Sequence, residues 1–259
     1  MQNNLCKSKS NHPLISVILP VYNSEKTIEK TLNSILSQTY NNFEILIYDD
    51  ASSDATASII QSVINSEPRI KLYCNKKNRG AGYARKYLLQ KAKGEYFAFL
   101  DSDDQWKNSK LEKQLKFMET NDLGICCCHY DIVNDDGKLL GSRKPPKEIT
   151  FTKMHLANWL PMSMTIVKAS LVGSRDMPLL KRRQDYAYWL SILKYNRDTK
   201  CKTFCENLGY YNRRGGSLSS SKRKNVTYNF LVFNQFMKYN KITAAFFVFL
   251  IILTRIIRV

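Results

Sequence analysis

The hydrophobic pattern divides the chain into two halves of different character. In the first hundred residues, runs that are apolar throughout alternate with stretches whose apolar positions recur every three or four residues. Residues 15–21 (ISVILPV), 43–48 (FEILIY), 70–74 and 96–100 (YFAFL) are of the first kind. Continuous apolar, β-branched or aromatic runs of this length predict strands buried on both faces. Between them, Ile28, Leu32, Ile35 and Leu36 keep helical spacing behind Ser24, which reads as an N-cap. A second helix is expected from a cap at Ser53 or Asp54 to Ile64. A third runs from a glycine-containing turn at 78–82 to about Ala92. Such alternation predicts right-handed crossovers and a parallel sheet.

In such sheets, ligands sit beyond the carboxyl ends of the strands. Two of the four strands end in acidic residues, the second at Asp49-Asp50 and the fourth at Asp101-Ser102-Asp103-Asp104. Carboxylates gathered on that edge point to a metal, a ribose or both. After Trp106 the pattern loses its regularity. A helix is expected over 111–118, with strands at 125–133 and 138–141 joined by the turn Asn134-Asp135-Asp136-Gly137. A short strand near 164–167, a helix over 185–193 and strand-like runs over 203–211 follow. A polar loop at 213–221 precedes helical patterns from about Lys222 onward.

With 259 residues, 44% of them hydrophobic, the chain can bury one large α/β core. Its charge changes the picture more. Forty Lys and Arg against 22 Asp and Glu give +18. From Lys194 onward thirteen basic residues face only Asp198 and Glu206, so +11 of the excess lies in the last quarter. Such a balance favours polyanions. Residues 242–253 (ITAAFFVFLIIL) carry no charge and are bracketed by Lys238, Lys241, Arg255 and Arg258. As a helix they would cover about 18 Å, short of a hydrocarbon core of about 30 Å. A tail that dips into or lies on an anionic membrane is expected, with a helix packed on the domain or a full span as the alternatives.

Seven cysteines form no disulfide framework. Consecutive strand residues face opposite ways, so Cys126, Cys127 and Cys128 cannot converge on one metal. A buried, reduced strand and a reducing compartment are expected. Residues 1–13 are polar and lack the apolar stretch of a secretory signal. His12, His129 and His155 are scattered and read as structural or exposed.

Four separate segments, in order, resemble the family 2 glycosyltransferases with a GT-A fold, notably bacterial enzymes of surface polysaccharide synthesis. They are residues 15–60 (ISVILPVYNSEKTIEKTLNSILSQTYNNFEILIYDDASSDATASII), 78–106 (NRGAGYARKYLLQKAKGEYFAFLDSDDQW), 182–190 (RRQDYAYWL) and 210–222 (YYNRRGGSLSSSK). The resemblance implies an α/β GT-A domain over 14–222, with a Rossmann-like, mostly parallel sheet flanked by helices. Residues 14–106 would form its nucleotide-sugar half and 107–222 its acceptor half. A polar segment, 1–13, precedes it. A basic and apolar helical tail, 223–259, follows and is expected to associate with membranes.

The implied activity is an inverting, metal-dependent hexosyl transfer. The donor would be a nucleotide-diphosphate sugar, a UDP-sugar by preference. The acceptor would be a glycan or lipid-linked saccharide of lipopolysaccharide, capsule or O-antigen. The implied place is the cytoplasmic face of the cell membrane, peripheral or tail-anchored. The resemblance also assigns residues. Asp103 would bind Mn²⁺ or Mg²⁺, and Asp101 would face the ribose or sugar. Asp50 would accept a hydrogen bond from the base, and the loop at Pro20, Tyr22 and Asn23 would pack against it. Asp185 would be the catalytic base. Arg79 and Arg85, before the fourth strand, are candidates for the diphosphate. The chemistry agrees, since a divalent cation neutralises charge developing on a diphosphate leaving group.

Two departures stand out. Gln184 occupies a place where the family often has Glu, and Asn212 one where it often has Arg, which Arg213 or Arg214 would replace. A sugar-phosphate nucleotidyltransferase would show a glycine-rich basic loop after the first strand, where this chain has Pro20-Val21-Tyr22-Asn23-Ser24-Glu25. A non-enzymatic membrane or nucleic-acid adaptor would explain +18 but not strand-end carboxylates, which repel phosphate. Nucleic acid is therefore not an expected partner.

Overall fold

The computed structural model describes residues 12–172, 177–213 and 222–257. Most of the polar N-terminal segment, most of the expected loop at 213–221 with Arg214, and Arg258 lie outside the described residues.

The apolar runs form strands as expected. β1 (Ile15–Val21), β2 (Phe43–Asp49) and β4 (Tyr96–Phe99) are buried along their whole length. β3 (Ile70–Cys74) lies at the sheet edge and is only partly covered. The helices α1 (Ile28–Leu36), α2 (Thr56–Ile64) and α3 (Ala81–Lys91) connect them. These four strands lie in the order β3-β2-β1-β4, all parallel.

Beyond them come β5 (Gln105–Trp106), α4 (Lys110–Thr120), β6 (Ile125–Val133), β7 (Leu139–Arg143) and the single turn α5 (Phe151–Met154). A 3₁₀ turn (Met162–Met164), β8 (Ile166–Lys168), α6 (Ala169–Val172), α7 (Gln184–Tyr195) and β9 (Cys201–Asn212) complete the sheet. α8 (Lys222–Leu231) runs into a π turn (Val232–Phe236), and α9 (Lys241–Ile257) follows.

Among the described residues the sheet has nine strands, ordered β3-β2-β1-β4-β8-β6-β9-β5, with β7 on β6. This corrects the expectation of a mostly parallel sheet. β8 runs antiparallel to β4 and β6, β5 to β9, and β7 to β6, while β6 and β9 are parallel. The sheet is mixed. Parallel pairing requires a crossover that returns the chain to the same edge. β7 follows β6 through a hairpin and has none.

The sheet separates two apolar cores. Val17 and Leu19 face α1 and α4, through Ile28, Leu32, Leu111 and Leu115. Ile18 and Leu46 face the other way, toward Ala84 and Leu88 of α3 and, deeper, Trp189 of α7 and Phe233. The cysteine triplet is divided likewise: Cys126 packs in the first core, Cys127 and Cys128 in the second. Burial pushes the Cys126 thiol up to about 12 and Cys128 to about 11. The described cysteines are all free thiols, so the buried, reduced strand stands.

Local capping was less legible. Neither Ser53 nor Asp54 is the N-cap of α2, which is Ala55, although the Asp54 carboxylate accepts from the Thr56 amide at 3.0 Å. Ser24 does not cap α1, whose N-cap is Thr27. Its hydroxyl instead donates to the Tyr22 carbonyl at 3.1 Å and lies 2.6 Å from the Ser102 hydroxyl.

At the opposite edge of the sheet, Glu44 holds three strand beginnings together. Its carboxylate accepts from the Ser16 hydroxyl, the Lys93 amide and the Lys71 ammonium, each at 2.8 Å. Burial alone would raise its pKa, but these three donors outweigh burial and hold it below the usual glutamate range. A depressed carboxylate contributes stability in full above its unfolded pKa, about 4.3, and loses it as pH falls through the lower folded value. Glu44→Ala is expected to cost about 1–3 kcal/mol. It should also flatten the fall in stability below pH ~4. Urea unfolding from pH 3 to 7 measures both, and an unchanged acid limb would refute the assignment.

Candidate active site

The chain leaves β1 for β2 on one side, while β4 joins β1 on the other. Their carboxyl ends therefore flank a topological switch point, where open α/β sheets bind ligands. A proline opens the crevice. The Leu100 amide donates to the Ile18 carbonyl at 3.1 Å, and the next rung of a parallel ladder would need an N–H at position 20. Pro20 has none, so the two chains part there. Pro20 is buried within β1, opposite Tyr48, and not in the loop after it as expected.

Tyr22 and Asn23 do form that loop, and Tyr22 is 49% exposed. Asn23 sits at φ 44°, its side-chain oxygen accepting from the Ser53 amide and its own amide donating to the Ser52 hydroxyl, both at 2.9 Å. Ala51, after β2, sits at φ 66°. Non-glycine residues in this region are held there only by their surroundings, and they cluster at functional sites. Here the two loops are stitched to each other.

Asp50 is buried at the end of β2. Its carboxylate accepts from the Arg79 amide at 2.9 and 3.0 Å and from the Gly80 amide at 2.6 Å. It thus fixes the turn that starts α3, where Gly80 takes φ 87°. A carboxylate offers about four acceptor positions, so three of these are occupied. The Arg79 guanidinium is at the surface, 4.6 Å over the Tyr83 ring.

Arg85 is different: it is only 6% exposed. Its guanidinium forms an ion pair with Asp101 and donates to the Gln184 side-chain oxygen at 3.3 Å. An open phosphate ligand would not be buried and paired in this way. The signal was available in its register. Gly82 and Leu88, three residues to either side, are both buried, which puts Arg85 on the packed face of α3. At Gly82 a Cβ would come within 2.8 Å of the Pro178 carbonyl and 3.0 Å of Gln184, so α3 lies tight against the approach to α7.

The acidic turn after β4 presents its carboxylates differently. Asp101 and Asp103 are half-exposed, whereas Asp104 is buried. Asp104 caps no helix. It accepts from the Ser163 hydroxyl at 2.5 Å and the Asn212 amide at 2.8 Å. Burial, with the charges of Asp103 and Asp101 adding to it, pushes its carboxyl well above the ordinary range. Ser163 also accepts from the Asp101 amide at 3.1 Å, and its carbonyl accepts from the Trp106 indole at 2.6 Å. Sequence reasoning did not find Ser163; a lone serine between methionines carries no signal.

Asp185 lies in the first turn of α7, yet no side chain caps that helix. Its carboxylate instead accepts from the Asn158 amide at 2.6 Å. Arg183, two residues earlier, sits at φ 60°. Gln184 places Asp185 one residue from the Arg85–Asp101 pair. Asn212 gives its backbone amide to Asp104 and its side chain to Asp135 at 3.0 Å, while Arg213 is exposed.

Among the described residues no three His, Cys, Asp or Glu gather into a metal cage. Mg²⁺ and Mn²⁺ at phosphate sites do not need one. They take one or two carboxylates, substrate oxygens and water. Asp101 and Asp103 are half-exposed carboxylates close enough to raise a third, and they meet that requirement.

A switch-point crevice rimmed by an exposed tyrosine and strand-end carboxylates, on a 3-2-1-4 sheet extended by a mixed half, defines the fold as that of the GT-A glycosyltransferases. Solved structures agree. The chain is similar to Staphylococcus aureus TarS (residues 1–349) in complex with UDP-GlcNAc, with a TM-score of 0.71, 22% identity, and 90% of this chain and 70% of that one covered. It is also similar to the mannosyltransferase PcManGT of Pyrobaculum calidifontis in complex with GDP-Man and Mn²⁺, with a TM-score of 0.60, 18% identity, and 87% and 62% covered. The chain belongs to glycosyl transferase family 2, whose model matches residues 16–177. A relative from Escherichia coli, the UDP-Glc:alpha-D-GlcNAc-diphosphoundecaprenol beta-1,3-glucosyltransferase WfgD, is 35% identical over 227 residues, covering 87% of each chain.

The two arginines should separate on substitution. Arg85→Ala leaves Asp101 without its ion pair and is expected to destabilise the fold by about 1.5–3 kcal/mol. Arg79→Ala removes one exposed cation–π contact and should cost under ~1 kcal/mol. Thermal melting of both variants checks the order, and equal losses would contradict it.

Proposed function

We propose that this glycosyltransferase transfers a hexose, with inversion, from a UDP-sugar to a lipid-linked saccharide in bacterial surface polysaccharide synthesis. The carrying observation is Arg85, which binds Asp101 on the nucleotide side and Gln184 beside Asp185 on the other. Two half-exposed carboxylates with separate partners are thereby linked through one buried guanidinium and the residue beside Asp185. The names of the relatives support the substrate class: WfgD is named for UDP-Glc and a diphosphoundecaprenol-linked sugar, and the TarS structure holds UDP-GlcNAc.

On the donor side, the exposed Tyr22 ring stacks on the base beside Asn23, where Pro20 opens the crevice. The remaining acceptor position of Asp50 takes a base N–H. Asp101, oriented by Arg85, faces the ribose or sugar. The exposed Arg79 guanidinium reaches the diphosphate. Asp103, with Asp101 nearby, holds Mn²⁺ or Mg²⁺, which supplies charge neutralisation for the departing diphosphate. PcManGT, of the same fold, was solved with Mn²⁺.

On the acceptor side, Asp185 takes the proton of the attacking hydroxyl, and a single displacement inverts the anomeric carbon. Asn158 orients that carboxylate. The protein acts at the cytoplasmic face of the membrane as a peripheral protein, its 223–259 tail meeting an anionic surface. Among the described residues no helix is long and apolar enough to cross a membrane.

Asp103→Ala is expected to abolish turnover while the melting temperature stays within a few degrees. Wild-type activity should vanish in EDTA and return with Mn²⁺ or Mg²⁺; full turnover in EDTA would sink the metal assignment.

Asp185→Asn preserves the shape and an acceptor for Asn158 while removing the base. Stability and donor binding should be near normal, with kcat reduced at least ~10²-fold. An active variant, or a product of retained anomeric configuration, would overturn the mechanism.

A further inference from the structure

α9 is apolar on two opposite faces, and only one of them is covered. Ala244, Val248 and Ile251 are buried against the domain. Phe247 lies between them and packs on His155 and Phe233, with ring centroids at 4.4 and 5.2 Å. His155 locks this seat. One ring nitrogen is 2.8 Å from the Phe151 carbonyl and the other 2.9 Å from the Tyr239 hydroxyl, which the neutral ring satisfies as donor and acceptor. Near its far end, the Thr254 hydroxyl donates to the Leu156 carbonyl at 3.1 Å. α9 is therefore a docked element of the domain.

The outward face is the anomaly. Ile242, Phe246, Phe249 and Leu253, at steps of four, three and four residues, form one stripe and are 84%, 55%, 58% and 39% exposed. Ile252 and Ala245 flank it and are also exposed. A helix resting on a soluble domain carries polar residues on that arc, and among the described side chains, up to residue 254, this one carries none. Cations surround its beginning. Lys238 and Lys241 are exposed, and the Lys194 ammonium lies 3.5 Å from the Met237 carbonyl. Arg197 stacks on Phe151, whose ring meets His155 edge-on, and it lines a shallow cavity of about 180 Å³ with Lys200, Lys202 and Glu148.

We propose that the outward face of α9 is a bilayer-docking surface. The helix lies in the plane of an anionic membrane, Phe246 and Phe249 enter the acyl boundary, and the cations around Lys238 and Lys241 meet lipid phosphates. This deepens the membrane-surface reading above and rests on it. It differs from a loose tail, because the rigid seat fixes the angle of the domain to the bilayer. The Thr254–Leu156 bond also ties the docked helix to the segment carrying Asn158, the partner of Asp185. Charge decides the occupant: a second copy of a +18 chain would bring like charges together around this stripe, whereas an anionic bilayer brings opposite ones.

Deleting α9 would uncover Phe233 and Tyr239, so outward point substitutions are the proper test. Full-length protein is sedimented with vesicles of phosphatidylcholine alone or mixed with phosphatidylglycerol. Wild type should sediment with the mixed vesicles and more weakly with the neutral ones. Phe246→Glu/Phe249→Glu should lose at least ~10-fold in partitioning, with unchanged melting and unchanged hydrolysis of free UDP-sugar. Lys238→Glu/Lys241→Glu should weaken only the anionic-vesicle binding, and less so at high salt. Phenylalanine variants that sediment like wild type would overturn the proposal. So would a wild-type dimer that the same variants dissolve while wild type ignores vesicles. Vesicle binding as expected with no UDP-sugar hydrolysis by wild type would leave the docking face standing and count against the catalytic reading alone.

Discussion

The crevice depends on one carboxylate that takes no ligand. Asp104 lies beneath it, out of reach of water, and a buried carboxyl must find protein partners. It finds the Ser163 hydroxyl and the Asn212 amide. One side chain thereby gathers the turn after β4, the turn before β8 and the end of β9. Ser163 and Asn212 lie 59 and 108 residues from Asp104 along the chain, and no strand ladder joins all three segments at this point. With Asp104 turned inward, Asp101 and Asp103 remain at the half-exposed rim. The Asp-Ser-Asp-Asp sequence thus divides into an anchor and two candidate ligands according to burial.

That division explains what was readable in the sequence. Strands β1, β2 and β4 are continuous apolar runs because both their faces are covered, and a run of that kind needs no partner to be recognised. β5 has two residues and β8 three. Strands so short exist only because neighbours hold them, and no window of sequence carries that information. The polar site residues show the same limit. Ser24 and Asp185 both stand where helix caps stand, and local propensity assigned Ser24 a cap. Tertiary partners took both side chains instead, Ser102 for Ser24 and Asn158 for Asp185. Asp54 serves both kinds of partner: it accepts from the local Thr56 amide and from the Glu25 amide of the facing loop.

α9 follows the same reasoning with the opposite sign. In the sequence its residues 242–253 are an uncharged run, too short as a helix to span a hydrocarbon core. The structure resolves that run into two arcs: an inner one that completes the core around His155 and an outer one left bare. An apolar arc without protein cover needs another apolar phase to meet it, and the cations at the helix start select the kind.

The departure at Gln184 is the last point where charge and packing must agree. A guanidinium buried as deeply as Arg85 is stable only when its charge is balanced nearby. Asp101 supplies one negative charge, and the pair is neutral. A glutamate at 184, as the family often has, would place a second carboxylate on the same guanidinium and leave one charge uncompensated beside Asp103 and Asp104. The amide keeps the oxygen that Arg85 donates to while adding no charge, and its own nitrogen donates to the Leu180 carbonyl. The position thus retains its geometric role and gives up its electrostatic one. Asp185 is then the single carboxylate in the first turn of α7.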